Sequence, residues 1–283
     1  MDRPKIDTHQ HFWQYNDRDY LWMTPSMGKI RRDHLPSDLL PLIDRAGITS
    51  TVAVQARQSI EESTWLLQLA DEFSFIGAVV GWVDLSSDRI VEQLERLTQH
   101  PKFRGVRHVV HDEPDDNFML RKSFLNGLSQ LQRFGLTYDL LLFPRHLSVA
   151  RDVVKRFPEQ RFVLDHIAKP PIRSRGLEPW ASDLKRLAEF ANVACKISGL
   201  VTEAEWNSWE AGDFELYLDV VLSAFGPQRL MIGSDWPVCT LAADYSSVIN
   251  LETDYIARLS SDEQDAILQK NATEFYSIQP LPR

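Results

Sequence analysis

Short apolar runs of strand length alternate with stretches of helical periodicity along almost the whole chain. The runs are mostly continuous, which is typical of parallel strands that helices cover. They predict a first strand that begins at Ile6 and seven more at 51–54, 75–82, 105–110, 137–142, 161–166, 193–198 and 229–235. Apolar residues at three- and four-residue spacing predict helices at 37–46, 65–73, 88–98, 118–134, 148–157, 180–190, 214–225, 245–259 and 261–276.

Eight strands that alternate with helices predict an α/β fold, a (β/α)8 TIM barrel. Such a barrel takes up roughly 250 residues, so we expect residues 1–283 to form a single domain. A doubly wound open sheet is the alternative, but no Gly-rich phosphate loop follows the first strand. The first helix is expected to have Ser37 as its N-cap and to stop at Gly47.

The composition is that of a globular protein, with 43% hydrophobic and 25% charged residues. A formal net charge of -9 argues against nucleic acid or an anionic membrane as the main partner. No basic and apolar leader opens the chain, and Cys195 and Cys239 do not suggest a disulfide framework. We therefore expect a cytoplasmic protein, and the sequence leaves a homo-oligomer open.

Polar residues stand at the end of almost every predicted strand. In a (β/α)8 barrel these ends meet on one face, which carries the active site. His9 and His11 point to the same side of an extended chain, because strand side chains repeat with a period of two. The other strands contribute Gln55, Trp82, Asp84, Arg107, His108, Tyr138, Asp165, His166, Lys196, Ser198 and Asp235. Such a convergence favours a functional site over a set of purely structural residues.

An irregular, aromatic-rich stretch follows the first strand and includes Trp13, Tyr20 and Trp22. A loop of this composition suits a ligand pocket, a cap on the barrel end or a contact with a neighbouring subunit. The sequence alone does not choose among the three.

Several of these motifs resemble the amidohydrolase superfamily. They are His9-Gln10-His11 on the first strand, Asp165-His166 on the sixth, and Gly233-Ser234-Asp235-Trp236-Pro237 on the eighth. With Gly105-Val106-Arg107-His108 and Lys196-Ile197-Ser198-Gly199-Leu200, they are similar to its sugar-lactonase branch, over essentially the whole chain. The resemblance implies a TIM barrel that hydrolyses a sugar-acid lactone. L-fuconolactone or a related L-galactono- or L-rhamnonolactone is the expected substrate.

The resemblance and the chemistry of the side chains suggest a role for each strand-end residue. Asp235 is expected to be the base that activates water. His9, His11 and His166 are expected to hold a metal or to polarise the carbonyl directly. Candidates for substrate hydroxyls or the product carboxylate are Arg107, His108, Tyr138 and Lys196, and candidates for the C–H face of the sugar are Trp13, Trp82 and Trp236.

A divalent metal is expected at this site, and zinc suits it best. His9, His11 and Asp235 form a nitrogen and oxygen set, and His166 is a candidate further ligand. Three protein ligands with one open position suit hydrolysis. Mononuclear members would place a histidine at the end of the fifth strand, where this chain has Tyr138-Asp139. The same histidines could hold the carbonyl without a metal, so a dispensable metal stays open.

Two other functions also stay open. A decarboxylase of the same superfamily would need a strongly bound metal and an aromatic or unsaturated acid. A non-catalytic sugar-acid binding protein would bind its ligand tightly without turnover. The presence of His9, His11 and Asp235 together counts against the second alternative.

Overall fold

Eight parallel strands form one sheet in the order of the sequence. A computed structural model describes residues 3–278. The strands are β1 (Lys5–Gln10), β2 (Ile48–Val54), β3 (Ile76–Gly81), β4 (Phe103–His108), β5 (Thr137–Leu140), β6 (Phe162–Leu164), β7 (Val193–Lys196) and β8 (Leu230–Met231). The segment after β8 returns to β1, since Thr8 N donates to Ile232 O at 3.0 Å and Asp235 N donates to His9 O at 2.7 Å. The predicted (β/α)8 barrel is confirmed.

Helices cover the outside of the barrel. They are α1 (Pro36–Ala46), α2 (Ile60–Glu72), α3 (Ile90–Leu97), α4 (Lys122–Leu131), α5 (Leu147–Arg156), α6 (Trp180–Ala188), α7 (Leu200–Glu203), α8 (Gly212–Phe225), α9 (Tyr245–Ile256), α10 (Ser261–Asp265) and α11 (Asn271–Phe275). Within residues 3–278, no helix combines the length and the apolar character needed to cross a bilayer.

The start of α1 differs from the prediction. Its N-cap is Leu35 rather than Ser37, because Pro36 occupies the first helical position, where its fixed φ and missing N–H are tolerated. The carboxylate of Asp38 accepts a hydrogen bond from Leu35 N at 2.9 Å and so satisfies one of the free donors of the first turn. The predicted stop at Gly47 is confirmed, since Gly47 has the left-handed φ of 68° that ends many helices.

Two of the predicted helices are shorter or divided. The segment predicted at 118–134 is regular only over α4, because Arg121 has an extended conformation and a 3-10 turn follows at Gln132–Phe134. The segment predicted at 261–276 is divided into α10 and α11 by a π turn at Ala266–Lys270. The short helix α7, which follows β7 directly, was not predicted. Hydrophobic spacing does not report such local changes of helical type.

The period of two along the strands decides which side chains enter the barrel. Its interior holds a small apolar cluster that includes Val54, Val80, Val163, Ala194 and Met231. The residues between these positions belong to the larger core, which lies between the sheet and the helices. Two residues beyond Val163 and Ala194, toward the strand ends, the inward positions become Asp165 and Lys196. The interior is therefore apolar at the amino end of the strands and charged at the carboxyl end.

The segment around α11 closes the amino end of the barrel. Ala272, Tyr276 and Ile278 pack on the interior cluster. The hydroxyl of Tyr276 donates to Asp139 Oδ2 at 2.6 Å, and Asn271 Nδ2 donates to Leu230 O at 2.7 Å. The last described residues thus provide hydrogen-bonding partners for polar groups inside the barrel.

We predict that Gly127→Ala destabilises the barrel. A Cβ at Gly127 in α4 would lie 2.0 Å from the carbonyl oxygen of Leu85, and a backbone atom cannot move aside like a flexible side chain. Overpacking of this kind should lower the free energy of unfolding by about 3 kcal/mol, or Tm by roughly 6 to 10 °C. Thermal denaturation would measure this shift. Gly212→Ala is the control, since its Cβ would meet nothing within 4 Å; equal Tm values for the two variants would contradict the prediction.

Candidate active site

A cavity of about 610 Å³ opens at the carboxyl ends of the strands. Five of the predicted strand-end residues line it: His11, Gln55, Arg107, His166 and Asp235. His9 lies directly beneath, fully buried, with its ring centroid 4.2 Å from that of His166. The structure therefore brings together the histidines of β1, the histidine after β6 and the aspartate after β8.

Three of these side chains point their electron-rich atoms at one another. His9 Nε2 and His11 Nε2 are 3.2 Å apart. Asp235 Oδ1 lies 3.4 Å from His11 Nε2 and 3.9 Å from His9 Nε2. A zinc ion with bonds of about 2.0–2.1 Å to nitrogen has tetrahedral ligand separations of about 3.3 Å. The spacing of the two imidazoles fits one small cation between them.

Polar groups on the far side of each ring contact the two histidines. His11 Nδ1 lies 2.8 Å from Val54 O, which can only accept, so Nδ1 carries the proton and Nε2 presents a lone pair. His9 Nδ1 lies 3.3 Å from Asp165 Oδ1 and 3.4 Å from Lys196 Nζ. With its proton on Nδ1, directed at the carboxylate, His9 also presents a lone pair at Nε2. The Nε2 lone pairs of His9 and His11 and the carboxylate of Asp235 then face one another, and a proton or a cation between them relieves the repulsion of these electron-rich atoms. Arg107 Nη1, at 3.2 Å from His9 Nε2, supplies one such positive group.

Asp235 reaches this position through an unusual backbone conformation. Its φ is 55°, in the left-handed region, which turns the chain away from the strand direction. The neighbouring Gly233 allows the approach to β1, because a Cβ there would lie 2.9 Å from the Cβ of His9. Burial opposes ionisation of the carboxyl, but His166, His11 and His9 outweigh it and hold the pKa of Asp235 below its ordinary value. The cavity therefore contains an ionised carboxylate.

A buried network of charges lies beneath the cavity. Lys196 Nζ lies 2.8 Å from Asp139 Oδ2 and 3.0 Å from Asp165 Oδ1. Arg107 Nη1 donates to Asp165 Oδ2 at 3.0 Å, and Arg107 Nη2 donates to the carbonyl of Gln55. Burial alone would raise the pKa of Asp165, but Lys196, His9 and Arg107 bring it well below its ordinary value. Asp165 is thus an ionised carboxylate that holds His9 from below.

His166 completes the site on its opposite side. Its Nδ1 lies 2.9 Å from the hydroxyl of Ser198, and its Nε2 lies 3.9 Å from Asp235 Oδ1. Burial is the largest cause that lowers the pKa of His166, to about 3, so the ring is neutral at neutral pH. A neutral imidazole can bind a metal or hydrogen-bond a carbonyl oxygen.

The chain is similar to known proteins over nearly its full length. A family model described as amidohydrolase matches residues 6–278. The chain belongs to the amidohydrolase family. It is 40% identical to an L-fucono-1,5-lactonase from Burkholderia multivorans, and the match covers 98% of this chain and 97% of that protein. It is 39% identical to an L-fucono-1,5-lactonase from Burkholderia ambifaria, and the match covers 97% of this chain and 96% of that protein. A crystal structure of an amidohydrolase from Burkholderia multivorans with bound zinc has a TM-score of 0.94 and 40% identity, and covers 97% of this chain and 99% of that one.

The metal-ligand pattern of this amidohydrolase departs from the mononuclear type at β5. Asp139 is the inward residue there, and it contacts Lys196 rather than the cavity. His146 lies farther along the chain, where its Nε2 is 3.1 Å from Asp116 and its Nδ1 accepts a hydrogen bond from Phe143 N. Within residues 3–278, the two clusters that could hold an ion are His9, His11 and Asp235, and His9, Asp165 and His166.

Three of the predicted substrate-binding residues lie away from the cavity because of their strand positions. His108 follows the inward Arg107, so it points outward and pairs with Glu113 at 2.7 Å. Tyr138 precedes the inward Asp139 and packs between the sheet and α4 against Phe124, with its ring centroid 5.9 Å away. Lys196 points inward but is fully buried under the cavity.

The three predicted tryptophans do not line this cavity either. Trp82 donates to His108 Nδ1 at 3.2 Å, so it belongs to the outer layer. Trp13 is fully buried and donates to Arg32 O at 2.9 Å. Trp236 packs against Phe12 with ring centroids 6.1 Å apart.

The loops that follow the strands supply lining residues that the sequence did not single out. The aromatic-rich stretch supplies part of the wall through Trp22, while its Trp13 and Tyr20 pack in a buried cluster. The lining residues that the sequence did not single out include Arg57 and Gln58 after β2, His111 and Asp112 after β4, Lys169 after β6, and Thr202, Glu203 and Trp206 after β7. The sequence shows that these residues lie near strand ends, but polar loop residues are common and few of them face a cavity, so this position alone does not identify them.

We predict that His11→Ala lowers the affinity for zinc by at least about 100-fold. The loss of a residue that only hydrogen-bonds to a ligand already lowers metal affinity roughly 10- to 100-fold, and the loss of a ligand itself should lower it at least as much. Calorimetric titration of metal-free protein with zinc would measure this. His100→Ala is the matched control, because His100 pairs with Asp71 on the outside of the barrel. Unchanged zinc affinity in His11→Ala would rule out His11 as a ligand.

Proposed function

We propose that this amidohydrolase hydrolyses a sugar-acid lactone to the open-chain acid, with L-fucono-1,5-lactone as the best candidate substrate. The observation that carries the proposal is the ionised Asp235 at the floor of the cavity, 3.4 Å from His11 Nε2. The identity of 40% to an L-fucono-1,5-lactonase over nearly the whole chain supports the substrate class. A related L-galactono- or L-rhamnonolactone is the next candidate.

The size and lining of the cavity suit such a ligand. Its volume of about 610 Å³ lies within the range of roughly 300–1,000 Å³ that is usual for small-molecule sites. Polar groups such as Gln58 and Thr202 can bind hydroxyls, while apolar groups such as Trp22, Val238 and Leu241 can contact C–H surfaces.

Asp235 is proposed to act as the base and then as the acid. Its carboxylate takes one proton from a water molecule as the water oxygen bonds to the lactone carbonyl carbon. The bond between that carbon and the ring oxygen then breaks, and Asp235 returns the proton to the ring oxygen. The new carboxylic acid releases its remaining proton to solvent. The low pKa of Asp235 keeps it in the form that accepts the first proton.

His9, His11 and Asp235 are proposed to hold one divalent metal, zinc by preference, with His166 beside it. The donor set and the 3.2 Å separation of the two Nε2 atoms fit the ion, and a structural neighbour contains zinc. When bound, zinc would supply a Lewis acid that polarises the carbonyl or lowers the pKa of water. His166, which is neutral, can donate to or accept from the bound lactone beside it.

The proposed partner is therefore a small lactone rather than a macromolecule. A cytoplasmic location and a homo-oligomer remain predictions. Both cysteines, Cys195 and Cys239, are free thiols, which suits a reducing compartment. The decarboxylase alternative is distinguished by its product, since it would release carbon dioxide, and the binding-protein alternative by the absence of turnover.

A panel of aldonolactones tests the function directly. Purified protein, metal-free or supplied with zinc, is mixed with L-fucono-1,5-lactone, L-galactono-1,4-lactone, L-rhamnono-1,4-lactone and D-isomers in a weak buffer that contains a pH indicator. Acid release above the spontaneous rate on one L-lactone would support the proposal. No acid release from any lactone, with or without zinc, would overturn it.

We predict that Asp235→Asn reduces turnover at least about 1,000-fold, since positioned general bases contribute roughly 10²- to 10⁴-fold and this one also returns the proton. The fold should persist, because the amide is isosteric. The indicator assay measures the rate, and circular dichroism checks the fold. Asp152→Asn, which changes an exposed aspartate on α5, should be fully active. A near-normal rate in Asp235→Asn would exclude it as the base.

A further inference from the structure

The chain forms a left-handed turn directly after β6. His166, Ile167, Ala168 and Lys169 all have φ between 48° and 60°. Non-glycine residues in this conformation cost roughly 1–2 kcal/mol each. Four in succession are therefore maintained only because the surroundings enforce them, and strain of this kind clusters at functional sites.

The contacts around the turn show how it is held. Ile167 and Ala168 are fully buried, and the indole of Trp180 donates to Ile167 O at 2.7 Å. Gly199 packs against the ring of His166 so closely that a Cβ there would lie 2.5 Å from Nδ1. The two middle residues anchor the turn. Its two ends, His166 and Lys169, both line the cavity.

Lys169 is a cation of the cavity wall whose ammonium group has N–H donors without a partner among the described residues. Its Nζ donates to Glu203 Oε1 at 2.8 Å, which uses one of three N–H groups, and the structure gives it no second partner among residues 3–278. Arg107 also lines the cavity, but its terminal nitrogens are occupied by Asp165, Gln55 and His9. Arg57 is paired with Asp19.

The charge of Lys169 acts on the reacting centre. Burial works against the charged form, but Glu203 and Asp235 raise the pKa of Lys169 overall. In turn, Lys169 is among the positive groups that lower the pKa of His166 and of His111, after the larger effect of burial. The ammonium group and the imidazole of His166 stand at the two ends of the same turn, and both line the cavity that also holds Asp235.

We infer that Lys169 is a catalytic residue whose ammonium group binds the oxygen of the attacked carbonyl as it becomes negative, and then the carboxylate of the product. The inference rests on the proposed function and deepens it. Lactone hydrolysis starts from a neutral ester and ends in an anion, so the site gains one negative charge while Asp235 returns to its ionised form. A cation with two unused donors at the cavity wall stabilises that charge more in the transition state than in the substrate complex.

Glu203 has a part in the same step. Its carboxylate holds Lys169 while the substrate is neutral and competes with the product carboxylate once the ring has opened. The two anions share one ammonium group, so the pair weakens product binding and favours release. Glu203 is on this argument a positioning residue.

The test compares Lys169→Met, Lys169→Arg and Glu203→Gln with the wild-type protein. Steady-state kinetics on the best lactone give kcat and KM, and calorimetric titration gives the affinity for L-fuconate. Lys169→Met is expected to lower kcat about 100-fold with a smaller change in KM and to weaken L-fuconate binding about tenfold or more. Lys169→Arg should recover part of both. Lys185→Met, an exposed lysine on α6, should change neither.

Zinc content and Tm are measured for every variant, so that loss of metal or of fold is separated from loss of charge. If Lys169→Met keeps its fold, kcat within about threefold of wild type and unchanged L-fuconate affinity overturn the inference. If that variant does not fold, Glu203→Gln decides: tighter L-fuconate binding supports the inference, and unchanged binding overturns it. If the wild type hydrolyses no lactone, the proposed function fails, while the L-fuconate titrations still show whether Lys169 binds a sugar carboxylate.

Discussion

The ion pairing of Asp165 with Lys196 and Arg107 is the interaction on which the site depends. Moving such charges out of water costs several kcal/mol for each ion, and this is offset only when every partner is in place. Here Lys196 lies between Asp139 and Asp165, and Arg107 covers the other oxygen of Asp165. The network fixes the carboxylate that lies against His9 Nδ1, and His9 Nε2 in turn faces His11 and Asp235. The reactive groups are thus positioned from inside the barrel.

The period of two along each strand explains how much of this could be predicted. The alternation of strands and helices predicted the fold, and the polar strand ends indicated the face of the barrel on which the cavity opens. His9, His11, His166 and Asp235 could be found because each ends a strand. Within a strand end, however, two adjacent polar residues point in opposite directions, and the sequence does not state which is inward. Arg107 and Asp139 enter the barrel, whereas His108 and Tyr138 pack outside it.

The loops account for most of what the sequence did not predict. The left-handed turn at 166–169 is enforced by packing against Trp180 and Gly199, which lie elsewhere in the sequence. The local sequence around Lys169 therefore does not predict that this side chain reaches the cavity. The tryptophans illustrate the opposite case. Their size suits a sugar platform, but the burial of a large apolar ring contributes more to stability than one ligand contact, and Trp13 and Trp236 pack in the interior.

The hydrogen bond from Tyr276 to Asp139 has a consequence for the order in which the protein is made. Asp139 is synthesised near the middle of the chain, and its phenol partner arrives about 140 residues later. β8 also has to emerge before β1 can be paired on both edges. Until Tyr276 has been made, the carboxylate of Asp139 lacks one of its three hydrogen-bond donors, Thr137 and Lys196 being the other two. Closure of the barrel therefore follows the synthesis of β8, and the last polar contact of its interior follows the synthesis of Tyr276.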